Sequence, residues 1–266
     1  MRDPQLTPGG PPPLLAIAHG SRDPLAAATV QQLLGRVRDR AARTGSGGLP
    51  VLTAYLDHSP PSPAQALAAL AGRGARTVVV LPLLLTAAYH ALTDIPALLR
   101  AAAAAHPELR IRYGDTLGPD LLLIRALERR LAEAGIQAGD PGTGVVLAAA
   151  GSSDPGASDV ISRLAADWRA LRRWQAVVPA YASAARPTPA EAVAALAADG
   201  VPRVAVASYL LAPGLFADQV RDQSAAAGAA AVSGALGAAP ELADLVLKRY
   251  SAAAAGIPRA PVFTAA

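Results

Sequence analysis

The sequence contains no cysteine and only one lysine, Lys248. Without cysteine, the chain cannot form disulfides, thiolate zinc sites or cysteine-ligated iron–sulfur clusters. Histidine and carboxylate side chains are the metal ligands that remain. The phosphate-binding motif Gly-x-x-x-x-Gly-Lys-Ser/Thr is also missing, and no Gly-x-Gly-x-x-Gly follows a predicted strand. The sequence therefore predicts that no nucleotide is needed.

Strong charge and long apolar runs are missing too. The net charge of +4 is not clustered into a basic stripe, which argues against a nucleic-acid partner. The most apolar stretch, residues 78–85, is too short to span a bilayer and contains Pro82. Residues 1–13 lack the apolar core of a signal peptide, and we expect them to be a disordered tail. These features predict a cytoplasmic protein without a membrane partner.

One short stretch, residues 14–24, combines a strand, a glycine turn and a helix start. The apolar run at 14–18 predicts a buried strand that ends at His19. Asp23 is a good N-cap and Pro24 a good first helical residue, so a helix is expected to begin there. His19 then lies at the carboxyl end of a strand, which is where ligands bind in open α/β sheets.

Strand-like and helix-like segments alternate along the chain, which predicts an α/β fold with parallel sheets flanked by helices. In the first half we expect further strands at 50–56, 77–81 and 109–113, and helices at 63–70, from the caps Asp94 and Pro96 to about 105, and at 120–134. A linker rich in Gly, Asp and Pro follows at 135–144.

The pattern then repeats. Residues 54–70 align without gaps with residues 180–196, with nine of seventeen positions identical, and three other pairs of segments match in the same order. An internal duplication is the simplest explanation. We therefore expect two tandem pseudo-repeated subdomains with a cleft between them. The expected bounds are a tail at 1–13, an N-terminal half at 14–138, a C-terminal half at 139–255 and a tail at 256–266.

The two halves differ in side chains that could bind a metal. The paired positions are His19 with Ala150, Asp57 with Ser183, His58 with Ala184, and His90 with Phe216. The glycine–serine turn and the Asp-Pro helix start are present in both halves. We therefore expect the first half to carry a site and the second half to be degenerate.

His19, Asp57 and His90 follow three different predicted strands. Because loops after neighbouring parallel strands converge at one edge of a sheet, these side chains can meet. Two imidazoles and a carboxylate suit Co²⁺, Fe²⁺ or Ni²⁺ and leave coordination positions open for a metal that is handed on.

Each of these residues also has a purely structural interpretation. His19 could cap a helix or donate to a backbone carbonyl, His90 could pack into the core, and Asp57 could be a turn residue. His58 suits a metal as well as Asp57 does, although successive residues at a strand end point in opposite directions. His106, which precedes a proline, is expected at the surface near a helix end.

Three motifs carry a family resemblance: His-Gly-Ser-Arg-Asp-Pro at 19–24, Tyr-Leu-Asp at 55–57 before a Pro-Ser segment, and Pro-Leu-x-Leu-x-x-x-Tyr-His-x-x-x-Asp-Ile-Pro at 82–96. The chain resembles the class II, ATP-independent tetrapyrrole chelatases, the sirohydrochlorin cobaltochelatase and ferrochelatase family, in its two-domain single-chain form. The resemblance implies that His19 and His90 bind the incoming metal and that an acid assists. Here the acid is Asp57, one methylene shorter than the usual Glu.

Two further segments are candidates for binding the substrate. Ser21 and Arg22 lie at an expected helix N-terminus, where backbone N–H groups favour an anion such as a ring carboxylate. Small residues at Thr86 and Ala87, before Tyr89, would let a flat ligand approach. The same segment could equally be a place of tight backbone packing.

The resemblance implies insertion of Co²⁺ or Fe²⁺ into sirohydrochlorin or a related tetrapyrrole, for sirohaem or cobalamin synthesis. In this hypothesis the histidines hold the metal at the cleft, and a histidine accepts pyrrole protons. The alternatives are a non-catalytic metal or tetrapyrrole carrier, a chelatase-like enzyme recruited to another pathway, and a phosphate-ester or nucleotide enzyme on the same fold. Both a monomer and a homodimer are compatible with a duplicated chain.

Overall fold

The structure, a computed structural model, describes residues 9–43, 48–87, 90–256 and 262–263, with the backbone alone at 90, 262 and 263. Its helices are α1 (Pro24–Arg43), α2 (Pro63–Gly72), α3 (Ile95–Ala105), α4 (Leu121–Glu133), α5 (Pro155–Leu171), α6 (Pro189–Ala198), α7 (Leu215–Ala226) and α8 (Pro240–Ala254). Its strands are β1 (Leu14–Ala18), β2 (Val51–Tyr55), β3 (Thr77–Pro82), β4 (Arg110–Tyr113), β5 (Thr143–Ala149), β6 (Ala176–Tyr181), β7 (Arg203–Tyr209), β8 (Ala231–Val232) and β9 (Val262–Phe263).

The strands form two sheets with the same internal order. The first sheet runs β2-β1-β3-β4-β9, and the second runs β6-β5-β7-β8. All pairs are parallel except β9, which lies antiparallel to β4. Every residue of β1 and of β5 is buried, as expected for a parallel strand covered on both faces. The predicted α/β fold with two repeated subdomains is confirmed.

Apolar stripes on the helices cover these sheets. Leu67 of α2 and Leu99 of α3 pack with Leu15 and Ile17 of β1 in one core cluster. The matching cluster of the second sheet joins α6 and α7 to β5 and β7. Each fully buried leucine of this kind stabilises the fold by roughly 2 kcal/mol.

The last helix of each half packs in the unit whose first four strands come from the other half. One compact unit comprises residues up to 118 together with those from 242 onward, and the other comprises residues 119–241. In the second unit, Glu128 of α4 accepts hydrogen bonds from Arg172 Nε at 2.7 Å and from Trp168 Nε1 at 3.1 Å. In the first unit, the Tyr250 hydroxyl of α8 donates to the Pro12 carbonyl at 2.7 Å.

These units differ from the expected halves, 14–138 and 139–255. The last helix of each half packs in the unit that contains the sheet of the other half. The contacts that hold it there, such as those of Glu128 and Tyr250, are made to distant parts of the chain. No local sequence pattern reports such contacts.

Three local expectations also differ from the structure. Asp94 does not cap α3 through its side chain; it ends a π-helical turn, His90–Asp94, that leads into the helix. Within the expected N-terminal tail, the Pro13 carbonyl accepts a hydrogen bond from Val79 N at 2.9 Å. The expected C-terminal tail contains β9. In the part of the chain that the structure describes, no helix has the length and apolar character needed to cross a bilayer.

Candidate metal and substrate site

Three loops leave the first sheet at one edge. Strand β1 lies between β2 and β3, and all three strands are parallel. The loop after β1 carries His19, the loop after β2 carries Asp57, and the loop after β3 leads to His90. Neighbouring parallel strands end at the same edge of a sheet, so this strand order makes the three loops begin at one edge, as the sequence predicts.

The loops after β1 and β2 are joined by backbone hydrogen bonds. Asp57 N donates to the His19 carbonyl at 2.9 Å, and Leu56 N donates to the Ala18 carbonyl at 3.0 Å. Gly20 has a φ of 95°, and a Cβ there would lie 1.9 Å from the Asp57 carbonyl oxygen. Glycine is therefore required for the close approach of the two loops. Both His19 and Asp57 are exposed at this edge.

His58 turns back toward Asp57, contrary to the expectation that their side chains diverge. Strand β2 ends at Tyr55, so both residues lie in a turn rather than in a strand. His58 has a φ of 63°, and its Nε2 lies 3.4 Å from Asp57 Oδ2. Its backbone N–H also donates to Asp57 Oδ1 at 2.8 Å. Ala184 at the matched position of the second half has a similar φ of 58°, so the loop itself imposes this conformation.

The loop after β3 begins at the same edge, next to the end of β1. Leu83 N donates to the Ile17 carbonyl at 2.7 Å, which holds the loop beside β1. Thr86 is half-buried and Ala87 is exposed. The π-helical turn begins at His90; single π turns are frequent at functional sites. Tyr89, a predicted substrate-binding residue, and the side chain of His90 lie outside the described residues.

Ser21 shapes the turn before α1. Its Oγ accepts a hydrogen bond from Asp23 N at 3.1 Å, and Ser152 makes the same bond to Asp154 N at 3.1 Å in the second half. Because both halves share this bond, the serine has a structural role in each. Arg22, the neighbouring candidate for binding an anion, is exposed.

His106 lies at the C-terminal end of α3, as expected for a residue near a helix end. Its Nδ1 is 3.8 Å from Glu108 Oε1. It is not part of the edge that carries His19.

Among the side chains that the structure describes, no three His, Asp or Glu residues are grouped closely enough to hold one metal ion. The His19 and Asp57 segments are the portion of the predicted triad that the described residues bring together. Sequence reasoning missed the contact between Asp57 and His58, because it depends on the positive φ of His58, which no sequence pattern reports.

The second half preserves this loop architecture without the donors. Gly151 has a φ of 93°, and a Cβ there would lie 1.8 Å from the Ser183 carbonyl oxygen. Ser183 stands where the first half has Asp57, and its Oγ donates to the Ala150 carbonyl at 2.9 Å. A shallow cavity of about 350 Å³ lies along residues 181–188 of this loop.

Two sheets that share one strand order over four strands define a duplicated α/β protein. The chain belongs to the CbiX family, whose sequence model matches residues 13–134 and 144–253. The two matched segments correspond to the two halves of the repeat. This finding confirms the resemblance that the motifs predicted.

The chain is also similar to characterised proteins. A sirohydrochlorin ferrochelatase from Priestia megaterium is 26% identical over 169 residues, which cover 64% of this chain and 63% of that protein. A sirohydrochlorin cobaltochelatase from the same organism is 24% identical over 211 residues, covering 79% of this chain and 67% of that protein. The match to the ferrochelatase thus spans less than two thirds of its length.

A solved structure shares the fold over nearly its whole length. SirB from Bacillus subtilis with Fe³⁺ superimposes with a TM-score of 0.78 and 25% sequence identity, covering 93% of this chain and 97% of that one. The two-sheet architecture is therefore that of a chelatase-like protein.

Proposed function

We propose that this chain is an ATP-independent metal chelatase, a lyase that inserts Co²⁺ or Fe²⁺ into sirohydrochlorin or a related tetrapyrrole. The observation that carries the proposal is the joined pair of loops bearing His19 and Asp57, at the carboxyl edge of a sheet in a CbiX-family chain. Relatives named for cobalt and for iron insertion into the same tetrapyrrole support this pair of metals. Ni²⁺ suits the same ligand types.

In the proposed reaction, His19 and His90 hold the incoming metal ion. Exposed histidine at the end of β1 offers an imidazole nitrogen to an ion arriving from solvent. Insertion of one divalent ion displaces two pyrrole protons from the ring nitrogens. As the ion moves from the imidazoles to the ring, the freed imidazoles accept those protons and later release them to water.

Asp57 acts beside this exchange rather than as an obligatory metal ligand. Its carboxylate lies against the His58 imidazole at 3.4 Å, and its backbone is bonded to His19. It therefore positions the two loops and places a negative charge near the ion. Arg22, exposed in the next turn, pairs with a peripheral carboxylate of the ring.

The test is a visible-absorption time course with sirohydrochlorin and either Co²⁺ or Fe²⁺, compared with a blank without protein. The expected result is a catalysed spectral change over many turnovers in the absence of nucleotide. His19→Ala and His90→Ala should each slow insertion by at least about a hundredfold, since each removes both a metal ligand and a proton acceptor. His106→Ala is the matched control and should retain the wild-type rate.

The same assay separates the alternatives. A bound-state spectrum without turnover would indicate a carrier, and no interaction with sirohydrochlorin would indicate a chelatase scaffold recruited to another pathway. Near-wild-type rates in both His19→Ala and His90→Ala would refute the assigned site.

A further inference from the structure

The π-helical turn His90–Asp94 contains a carbonyl group that its own segment cannot pair in the π pattern. In such a turn, a carbonyl accepts a hydrogen bond from the N–H group five residues further along the chain. For Ala91 that residue is Pro96, which has no N–H group. Ala91 is buried, at 4% exposure, so a carbonyl left there without a donor would destabilise the turn.

Tyr113 supplies a donor from another element of the same unit. Its hydroxyl group donates a hydrogen bond to the Ala91 carbonyl at 2.9 Å. Tyr113 is the last residue of β4, which pairs with β3, and it is itself buried. Burial, and then the charge of Asp115, raise the pKa of Tyr113, so the hydroxyl keeps the proton that it donates. A residue of the sheet is therefore bonded to the backbone of the residue that follows His90.

The second half provides an internal comparison for this contact. Val232 of β8 occupies the place that Tyr113 has in β4. Their pairing partners in β7 and β3 are related by the same offset that aligns residues 54–70 with 180–196, which establishes the match. Valine has no hydroxyl group, so the second half cannot make this hydrogen bond.

The other features of the turn also differ between the halves. The same offset pairs His90 with Phe216, and Pro96 with Asp222, which has an N–H group. The matched positions of the second half lie in α7, which is an α-helix from Leu215 onward. The tyrosine, the proline and the π-helical turn therefore accompany the candidate metal ligand in the half that has it, and the matched positions of the other half lack all of them.

We propose that Tyr113 is a positioning residue for the metal site, because its hydrogen bond to the Ala91 carbonyl fixes the backbone turn that carries His90. The inference rests on the proposed function, which assigns His90 as a metal ligand. Tyr113 contacts neither the metal nor the tetrapyrrole ring in this role. Without the hydrogen bond the turn would adopt further conformations, and the apparent metal affinity falls with the fraction of molecules that hold the binding-competent one.

The test uses Tyr113→Phe in the full-length chain, which removes the hydroxyl group and keeps the buried ring. Titration with Co²⁺ alone by calorimetry should show affinity weakened by roughly five- to tenfold, the size expected for one lost buried hydrogen bond. In the insertion assay the KM for Co²⁺ should rise by a similar factor, while the KM for sirohydrochlorin should equal that of the wild type. Denaturant unfolding gives the folded fraction, by which both measurements are corrected.

Tyr250→Phe is the matched control. Tyr250 is also a buried residue of the first unit, and its hydroxyl group donates to the Pro12 carbonyl at 2.7 Å. Pro12 precedes β1, so this contact lies at the opposite edge of the sheet from His19. The control loses a comparable hydrogen bond and should keep the wild-type Co²⁺ affinity and both wild-type KM values.

A double-mutant cycle with His90→Ala separates positioning from a general loosening of the fold. If Tyr113 acts through His90, adding Tyr113→Phe to His90→Ala should not weaken Co²⁺ binding further. A general loosening would weaken Co²⁺ binding by the same factor in both backgrounds. It would also change the KM for sirohydrochlorin.

The outcomes distinguish this inference from the proposed function. If the wild type metallates sirohydrochlorin and Tyr113→Phe matches Tyr250→Phe in Co²⁺ affinity and in KM for Co²⁺, the positioning role is overturned and the proposed function stands. An equal loss of Co²⁺ affinity in both backgrounds of the cycle would also overturn that role. If the wild type neither binds Co²⁺ nor metallates sirohydrochlorin, the proposed function fails and the positioning role fails with it.

Discussion

Gly20 and Gly151 are single residues on which the loop contacts of the two units depend. Each has a positive φ, and a Cβ at either would lie within 2 Å of a carbonyl oxygen, that of Asp57 or of Ser183. The contact is the same in both units, but only the first unit carries candidate metal ligands next to it. Substitutions at these two glycines can therefore distinguish an effect on stability from an effect on metal binding.

We predict that Gly20→Ala and Gly151→Ala each destabilise the protein by about 3 kcal/mol, since each combines backbone strain with steric overlap. Only Gly20→Ala should also weaken Co²⁺ binding, because it pushes the Asp57 loop away from His19. Denaturant unfolding measures the first effect and calorimetry at low temperature the second. Wild-type Co²⁺ affinity in Gly20→Ala would contradict the proposed role of this loop contact.

At the scale of the element, α2 and α6 begin with the same motif but different chemistry. Ser62 and Thr188 each form a capping box with the residue three positions later, which is Gln65 in α2 and Glu191 in α6. The hydrogen bond that the Thr188 backbone N–H donates to Glu191 is the main reason why the pKa of Glu191 lies below its ordinary value of 4.5. The positive charge of Arg186 lowers this pKa further. Gln65 does not titrate.

A carboxyl group whose pKa is lowered by folding stabilises the protein above its unfolded pKa. That contribution is lost as the pH falls from about 4.5 through the lower folded value. We predict that Glu191→Gln, which keeps the capping box, makes α6 less sensitive to acid. Both tryptophans, Trp168 and Trp174, lie in the second unit, so tryptophan fluorescence during unfolding at pH 7 and pH 3.5 measures the effect there.

Gln65→Glu is the reciprocal variant and should add acid sensitivity to the first unit, detected by circular dichroism. Equal loss of stability on acidification in the wild type and in Glu191→Gln would contradict the assignment of this carboxylate.

At the scale of the whole molecule, the main feature is the exchange of the last helix of each half. Helix α4 completes the second unit through Glu128, whose carboxylate accepts two hydrogen bonds from Arg172 and one from Trp168. Helix α8 completes the first unit, where Arg249 donates to the carbonyls of Thr116 and Leu117. A fragment that corresponds to one sequence half would therefore lack a helix that its own sheet requires.

We predict that the fragment 119–241, a complete unit, unfolds cooperatively, whereas the fragment 139–266 does not, because it lacks α4 and leaves apolar surface uncovered. Co-expression of fragments 1–138 and 139–266 should yield a complex that co-purifies. The measurement is denaturant unfolding followed by tryptophan fluorescence, since both fragments that contain the second sheet contain both tryptophans. Equal stability of 119–241 and 139–266 would contradict the exchange.

The sequence by itself determined the features that depend on local pattern and on internal comparison. The apolar run predicts the burial of β1, and prolines and caps predict the start of α1 at Pro24 and of α2 at Pro63. The aligned motifs predict the duplication and the family. The candidate ligands were found because the second half had lost them. That signal needs no coordinates.

Tertiary structure decided what depends on contacts between distant residues. The left-handed turn that brings His58 to Asp57 is imposed by the loop. The exchange of α4 and α8 depends on distant contacts, such as that of Arg249 with Thr116, more than 100 residues away in the sequence. An alternating pattern specifies which face of an element is buried, but only the assembled sheets decide which element covers that face.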